Sequence, residues 1–117
     1  MKKRLSLILV ILGLSLMFVV NVHSQVMVRG RVVRNSPNGP YPVAGVPVTI
    51  KNPATRVRSN PSYTGTDGMY YLYNVVPGDY VLEFWFSGFN IPPLVYQTRV
   101  APSQPGRSFD IAPITLP

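Results

Sequence analysis

All thirteen prolines of this sequence fall after residue 25, and with eight of its nine glycines they cut the last 93 residues into short apolar runs. Neither residue suits a helix interior, and no segment there keeps a 3.6-residue apolar period. Several keep a period of two. Val28, Gly30 and Val32 alternate with Arg29, Arg31 and Val33, which predicts a strand with one face buried. Arg34–Pro42 reads as a loop. Val46, Val48 and Ile50 alternate with Pro47, Thr49 and Lys51, and the proline predicts an edge position or a strand start. Residues 52–60, with Arg56 and Arg58 around Val57, read as a weak strand or an exposed basic loop. Thr64–Gly68 is a turn signal. In the next strand Tyr70 and Leu72 point one way and Met69, Tyr71 and Tyr73 the other. Val75–Gly78 then turns the chain into the strongest strand, with Tyr80, Leu82, Phe84 and Phe86 on one face and Val81, Glu83 and Trp85 on the other. Leu94–Val100 and Ser108–Leu116 complete seven strands. The fold class is therefore all-β, a seven-stranded antiparallel Greek-key sandwich.

The first 24 residues are of another kind. Lys2, Lys3 and Arg4 precede a sixteen-residue apolar stretch, Leu5–Val20, and Val22-His23-Ser24 suits a signal peptidase. The reading is an N-terminal signal helix over 1–24, a cut after Ser24 and a secreted or periplasmic domain over 25–117, in contact with a membrane only through the leader before cleavage. An uncleaved anchor is the alternative, but the run is short for one. The full chain carries 11 basic and 4 acidic residues, net +7. Without the leader the excess is modest, and with a secreted destination nucleic acid is not an expected partner. The chain has no cysteine, and its one histidine, His23, leaves with the leader. Disulfides, thiolate metal sites and a lipidated cysteine are excluded, and the commonest general base is missing.

Five short motifs occur in a recognisable order: Val28-Arg29-Gly30-Arg31-Val32, Pro42-Val43-Ala44-Gly45-Val46-Pro47-Val48, Thr64-Gly65-Thr66-Asp67-Gly68-Met69-Tyr70, Val76-Pro77-Gly78-Asp79-Tyr80-Val81-Leu82 and Gly88-Phe89. The order resembles the carboxypeptidase regulatory-like domains, which are transthyretin-like (prealbumin-like) sandwiches related to collagen-adhesin B-type repeats and grouped with carbohydrate-binding-like folds. The resemblance spans the whole of 25–117. It implies a non-catalytic domain, since in carboxypeptidases the zinc site belongs to a separate domain. The motif residues have structural reasons of their own: Pro77 presets a turn, and Tyr70 and Tyr80 would lay large rings over the sandwich edge while their hydroxyls reach backbone or water.

No set of acid, base and nucleophile can be assembled, so no enzyme, metal or cofactor is expected. Asp67 and Asp79 sit in turns, where short acids bond the backbone. Hydroxyisourate hydrolases and intradiol dioxygenases, enzymes on similar sandwiches, need histidines that are missing here. Adhesin-type relatives join Lys to Asn or Asp with help from a buried Glu. The resemblance puts that helper at Phe84, whereas Glu83 lies one residue earlier and on the opposite face, and Lys51 points outward, so no crosslink is expected. Two surfaces remain as candidates. Tyr71, Tyr73 and Trp85 share the outward parity and form either a ligand face for a sugar ring or peptide, or ordinary cross-strand pairs. Arg29, Arg31 and Arg34, with Arg56 and Arg58, form either a basic patch for an anionic partner or a solvated face that protects an edge. The expected function is binding or scaffolding against a cell-surface polysaccharide or an envelope protein. The alternative is an assembly module that adds an edge strand near Val28–Val32 to a larger complex.

Overall fold

The computed structural model describes residues 25–102 and 107–117. The leader over 1–24, its helix and its cut after Ser24 lie outside the described residues. Those described are all-β: β1 (Val26–Ser36), β2 (Gly39–Pro42), β3 (Pro47–Lys51), β4 (Ser62–Tyr63), β5 (Met69–Val75), β6 (Gly78–Phe84), β7 (Leu94–Val100), β8 (Ser108–Asp110) and β9 (Ile114–Leu116). They form two sheets, one built on β1 and one in the order β4-β3-β6-β7.

β1 is the spine of the first sheet. On one side it pairs antiparallel with β5 through its first half and with β2 through its second. The two meet at Val32, whose N–H donates to Gly68 O at 2.8 Å and whose C=O accepts from Val43 N–H at 3.0 Å. On the other side run β8, opposite Met27–Arg29, and β9, opposite Val32–Arg34.

Among the described residues there are thus nine strands, and the sandwich is not wholly antiparallel, because β8 and β9 lie parallel to β1. β7 and β8 belong to different sheets, so β8 is not the return strand of a hairpin and is free to pair parallel to β1. Pro113 has no N–H to give, and the predicted last strand breaks there into two. The predicted loop over 34–42 is instead a hairpin, because β1 continues to Ser36 and returns as β2 through Pro37-Asn38, with Ser36 Oγ–H donating to Gly39 O at 2.6 Å. Pro47 is the first residue of β3, one of the two places predicted for it.

The predicted inward residues fill the space between the sheets. Val28, Val32, Val48, Tyr70, Leu82 and Phe84 are completely buried. Tyr70 and Phe84 meet edge to face, with ring centroids 5.6 Å apart. Tyr70 lies across Gly30, where a Cβ would stand 2.7 Å from its Cζ. Close approach thus fixes the glycine in the middle of β1. Tyr80 sends its hydroxyl to Val76 O at 2.6 Å as predicted, whereas the Tyr70 hydroxyl is buried with no protein partner.

Candidate functional site

The outer face of the first sheet brings together a part of each predicted surface. Tyr71 and Tyr73 stand two apart on β5 with outward parity, and their rings stack with centroids 6.5 Å apart and planes 20° from parallel. Tyr73 is 67% exposed. In the cross-strand register Tyr71 stands opposite Arg29, and Met69 opposite Arg31. Arg29 Nε–H donates to Asp110 Oδ1 at 2.7 Å, and Ser108 Oγ–H donates to the same oxygen at 2.7 Å. These bonds, with the Arg29 charge, hold the Asp110 carboxyl below its ordinary range. Arg31 is exposed. Arg34 falls on the opposite parity and is half-buried, so it does not join the patch. Along the seam with β4 a groove of about 400 Å³ runs past Ser59, Asn60, Ser62, Tyr71 and Tyr73.

Trp85 belongs to the other sheet, so the three-ring face predicted from alternation does not exist. Parity gives the side of a sheet on which a residue lies, but not which sheet carries it. Trp85 is part of a closed network on the outer face of the second sheet. Its Nε1–H donates to Thr49 Oγ1 at 2.8 Å, and the Thr49 hydroxyl donates to Glu83 Oε1 at 2.9 Å. Arg58 grips the same carboxylate from above with Nε and with Nη2, the latter 2.9 Å from Oε2. The Arg58 guanidinium also lies 5.2 Å from the Trp85 ring centroid, and Phe89 packs against that ring at 5.4 Å. Burial pushes the Glu83 carboxyl up, but the Arg58 and Thr49 hydrogen bonds and the Arg58 and Lys51 charges outweigh it, and Glu83 lies below its ordinary range.

The predicted basic patch is therefore split. Arg29 and Arg31 sit on the first sheet, while Arg58 is committed to Glu83, and Arg56 sits in the tight turn after β3 with φ +60°. That turn is organised by Asn52, whose Oδ1 accepts from Ala54 N–H at 2.9 Å. Of the two readings of 52–60, the basic loop describes its first part. Its end runs as an irregular edge beside β3, with a Lys51–Arg58 bridge and a Ser59 N–H bond to Ile50 O at 2.9 Å.

Each acid among the described residues has a structural partner. Asp67 accepts from Met69 N–H at 2.9 Å, as a turn acid should. Asp79 instead accepts from Arg99 at 2.9 Å, because β7 brings that guanidinium alongside. Phe84, at the helper position implied by the adhesin resemblance, is core, and Glu83 faces outward. No cluster of three or more His, Cys, Asp or Glu that could hold a metal occurs among the described residues.

Sequence reasoning missed the edge of β7. Trp85 N–H donates to Pro47 O, so the odd-numbered residues of β6 face β3 and the even-numbered ones face β7. Leu94, Tyr96, Thr98 and Val100 consequently bond to β6, and the N–H and C=O groups of Val95, Gln97 and Arg99 point away from the sheet. Among the described residues no strand pairs with that side. Phe89, Ile91, Val95 and Tyr96 expose apolar surface along the same stretch. The edge of β1, by contrast, is occupied on both sides, so Val28–Val32 is not available for strand addition. The clue lay in the sequence of β7, which has neither proline nor glycine.

No family model matches the chain, and no curated protein does. Solved structures do. GBS52, a minor pilin of Streptococcus agalactiae, superimposes with a TM-score of 0.61 at 16% identity over 80% of this chain and 46% of its own. BcpA, the major pilin subunit of Bacillus cereus, gives 0.56 at 10% identity over 79% of this chain and 29% of its own. An (S)-allantoin synthase gives 0.55 at 13% identity, over 81% and 42%. The chain spans less than half the length of each. At these identities the likeness is one of fold, and the fold is a β-sandwich of the kind found in pilin domains, at the level of the collagen-adhesin-like sandwiches.

Proposed function

We propose that this chain is a non-catalytic structural module of a cell-surface assembly, secreted from the cell and joined to its neighbours by strand addition at β7. The observation that carries the reading is the outward row of main-chain groups on Val95, Gln97 and Arg99 beside exposed Phe89, Ile91 and Val95, because such an edge is a template for another strand. The pilin-like fold agrees with it. A test is to express the tagged chain in its own host and separate surface complexes under native conditions. Gln97→Pro removes one outward N–H without touching the bonds to β6, and it should release the chain from the complex. Release by Tyr71→Ala or Tyr73→Ala, with Gln97→Pro still incorporated, would overturn the reading.

A second reading has its own observation, the stacked and exposed Tyr71–Tyr73 pair beside Arg29 and Arg31. Rings placed this way can lie against sugar faces, and the arginines suit an acidic polysaccharide. Affinity electrophoresis against acidic and neutral polysaccharides decides it. Retardation by one of them that is lost in Tyr73→Ala supports the face as a ligand site.

A further inference from the structure

We infer that the strand received at β7 is β7 of a second copy of this chain, paired antiparallel about a two-fold axis at Gln97. The inference rests on the assembly reading and names its partner. An edge pairs with itself only if its outward groups and side chains are self-complementary. With Gln97 opposite its own copy, Val95 stands opposite Arg99 and Arg99 opposite Val95. The outward N–H and C=O of all three residues then find partners in the other copy, since directly opposed outward residues exchange both bonds. No like charges are opposed. The one charge on the strand, Arg99, is already neutralised within its own chain by Asp79 at 2.9 Å. On the inner parity Tyr96 would stand opposite Thr98, covering a ring that this chain leaves 37% exposed. The two four-stranded sheets would become one of eight strands.

The other long edge, β5, is irregular in its register with β1 between Val26 and Val28, carries Asn74 at φ +58° and gives its Tyr71 N–H to Ser62 Oγ at 3.4 Å. The remaining edges are blunted. β2 carries Pro40 and Pro42, the irregular edge beside β3 carries Pro61, and β8 and β9 are three residues each, interrupted at Pro113. Proline and short length are how edges are kept from pairing. Over seven residues β7 has no proline, glycine, lysine or bulge in its register with β6.

The test is sedimentation of residues 25–117, which contain the whole core described above, across a range of concentrations. Wild type should show a monomer–dimer equilibrium. Gln97→Lys and Gln97→Glu each place like charges directly opposite across the axis and should each weaken the dimer about fivefold or more. An equimolar mixture of the two should restore it as a heterodimer. Gln97 is exposed and bonds outward, so both variants should keep the wild-type melting temperature at a concentration low enough for all three to be monomeric, which is checked alongside. A wild type that stays monomeric at the highest concentration, or a dimer that neither charge affects, overturns the inference. A monomeric wild type whose Gln97→Pro variant is nonetheless released from surface complexes would overturn self-pairing while leaving the assembly reading intact.

Discussion

Glu83 is the one buried acid among the described residues. It is 4% exposed on the outer side of a sheet, held by Arg58 and Thr49, both of which also contact Trp85. Removing one partner from such a group costs more than the group's net contribution, because the other partners keep their desolvation penalty. Its carboxyl is depressed from the ordinary value of 4.5. A depressed acid stabilises the fold fully above its unfolded pKa and loses that contribution as pH falls through the folded value. Acid unfolding followed by Trp85 fluorescence should therefore show stability falling below about pH 4.5, with a red shift as the Thr49 contact loosens. Glu83→Gln should be less stable than wild type at pH 7, by about 1 to 3 kcal/mol, with a flatter acid limb. An equally steep limb in the variant would assign the acid sensitivity to Asp79 and Asp110, whose exposed arginine pairs are worth little.

At the scale of elements, the turn between β4 and β5 is the joint on which the first sheet depends. Gly68 has φ +75°, and a Cβ there would meet Val32 O at 2.6 Å and Pro42 Cβ at 3.0 Å. Its C=O also takes the Val32 N–H at the point where β5 gives way to β2. Gly68→Ala combines left-handed strain with a backbone clash, and should lower stability by about 2 to 5 kcal/mol in urea unfolding. A loss below about 1 kcal/mol would mean that the turn can reopen without disturbing β1. This turn was legible in the sequence because Asp and Gly announce it, as were β3, β5, β6 and β7, because alternation is a property of neighbours along the chain. The pairing of β8 and β9 was not. Nothing in Ser108–Leu116 states which strand will be met or in what direction, and Arg29 and Asp110 are 81 residues apart. Trp85 was misplaced for the same reason, since its partners, Thr49 and Arg58, arrive on other elements.

For the whole molecule, the route of the chain has a mechanical meaning. β1 begins at Val26, and β9, parallel to it, finishes at Leu116 beside Arg34, near the far end of β1. Pulling Val26 and Leu116 apart therefore draws along the strands, and the β8 and β9 ladders take the load side by side as shear. The β6–β7 hairpin offers the opposite geometry, because Asp79 and Arg99 are register partners and pulling them apart opens their bonds one after another. In single-molecule stretching, attachment at the two ends of 25–117 should need a clearly higher force to unfold the domain than attachment through Asp79→Cys and Arg99→Cys. Equal forces would show that the C-terminal strands carry no load. A sandwich wired in this way transmits tension down its length through one spine and two short splints, and its interior can stay closed while the chain on either side is under strain.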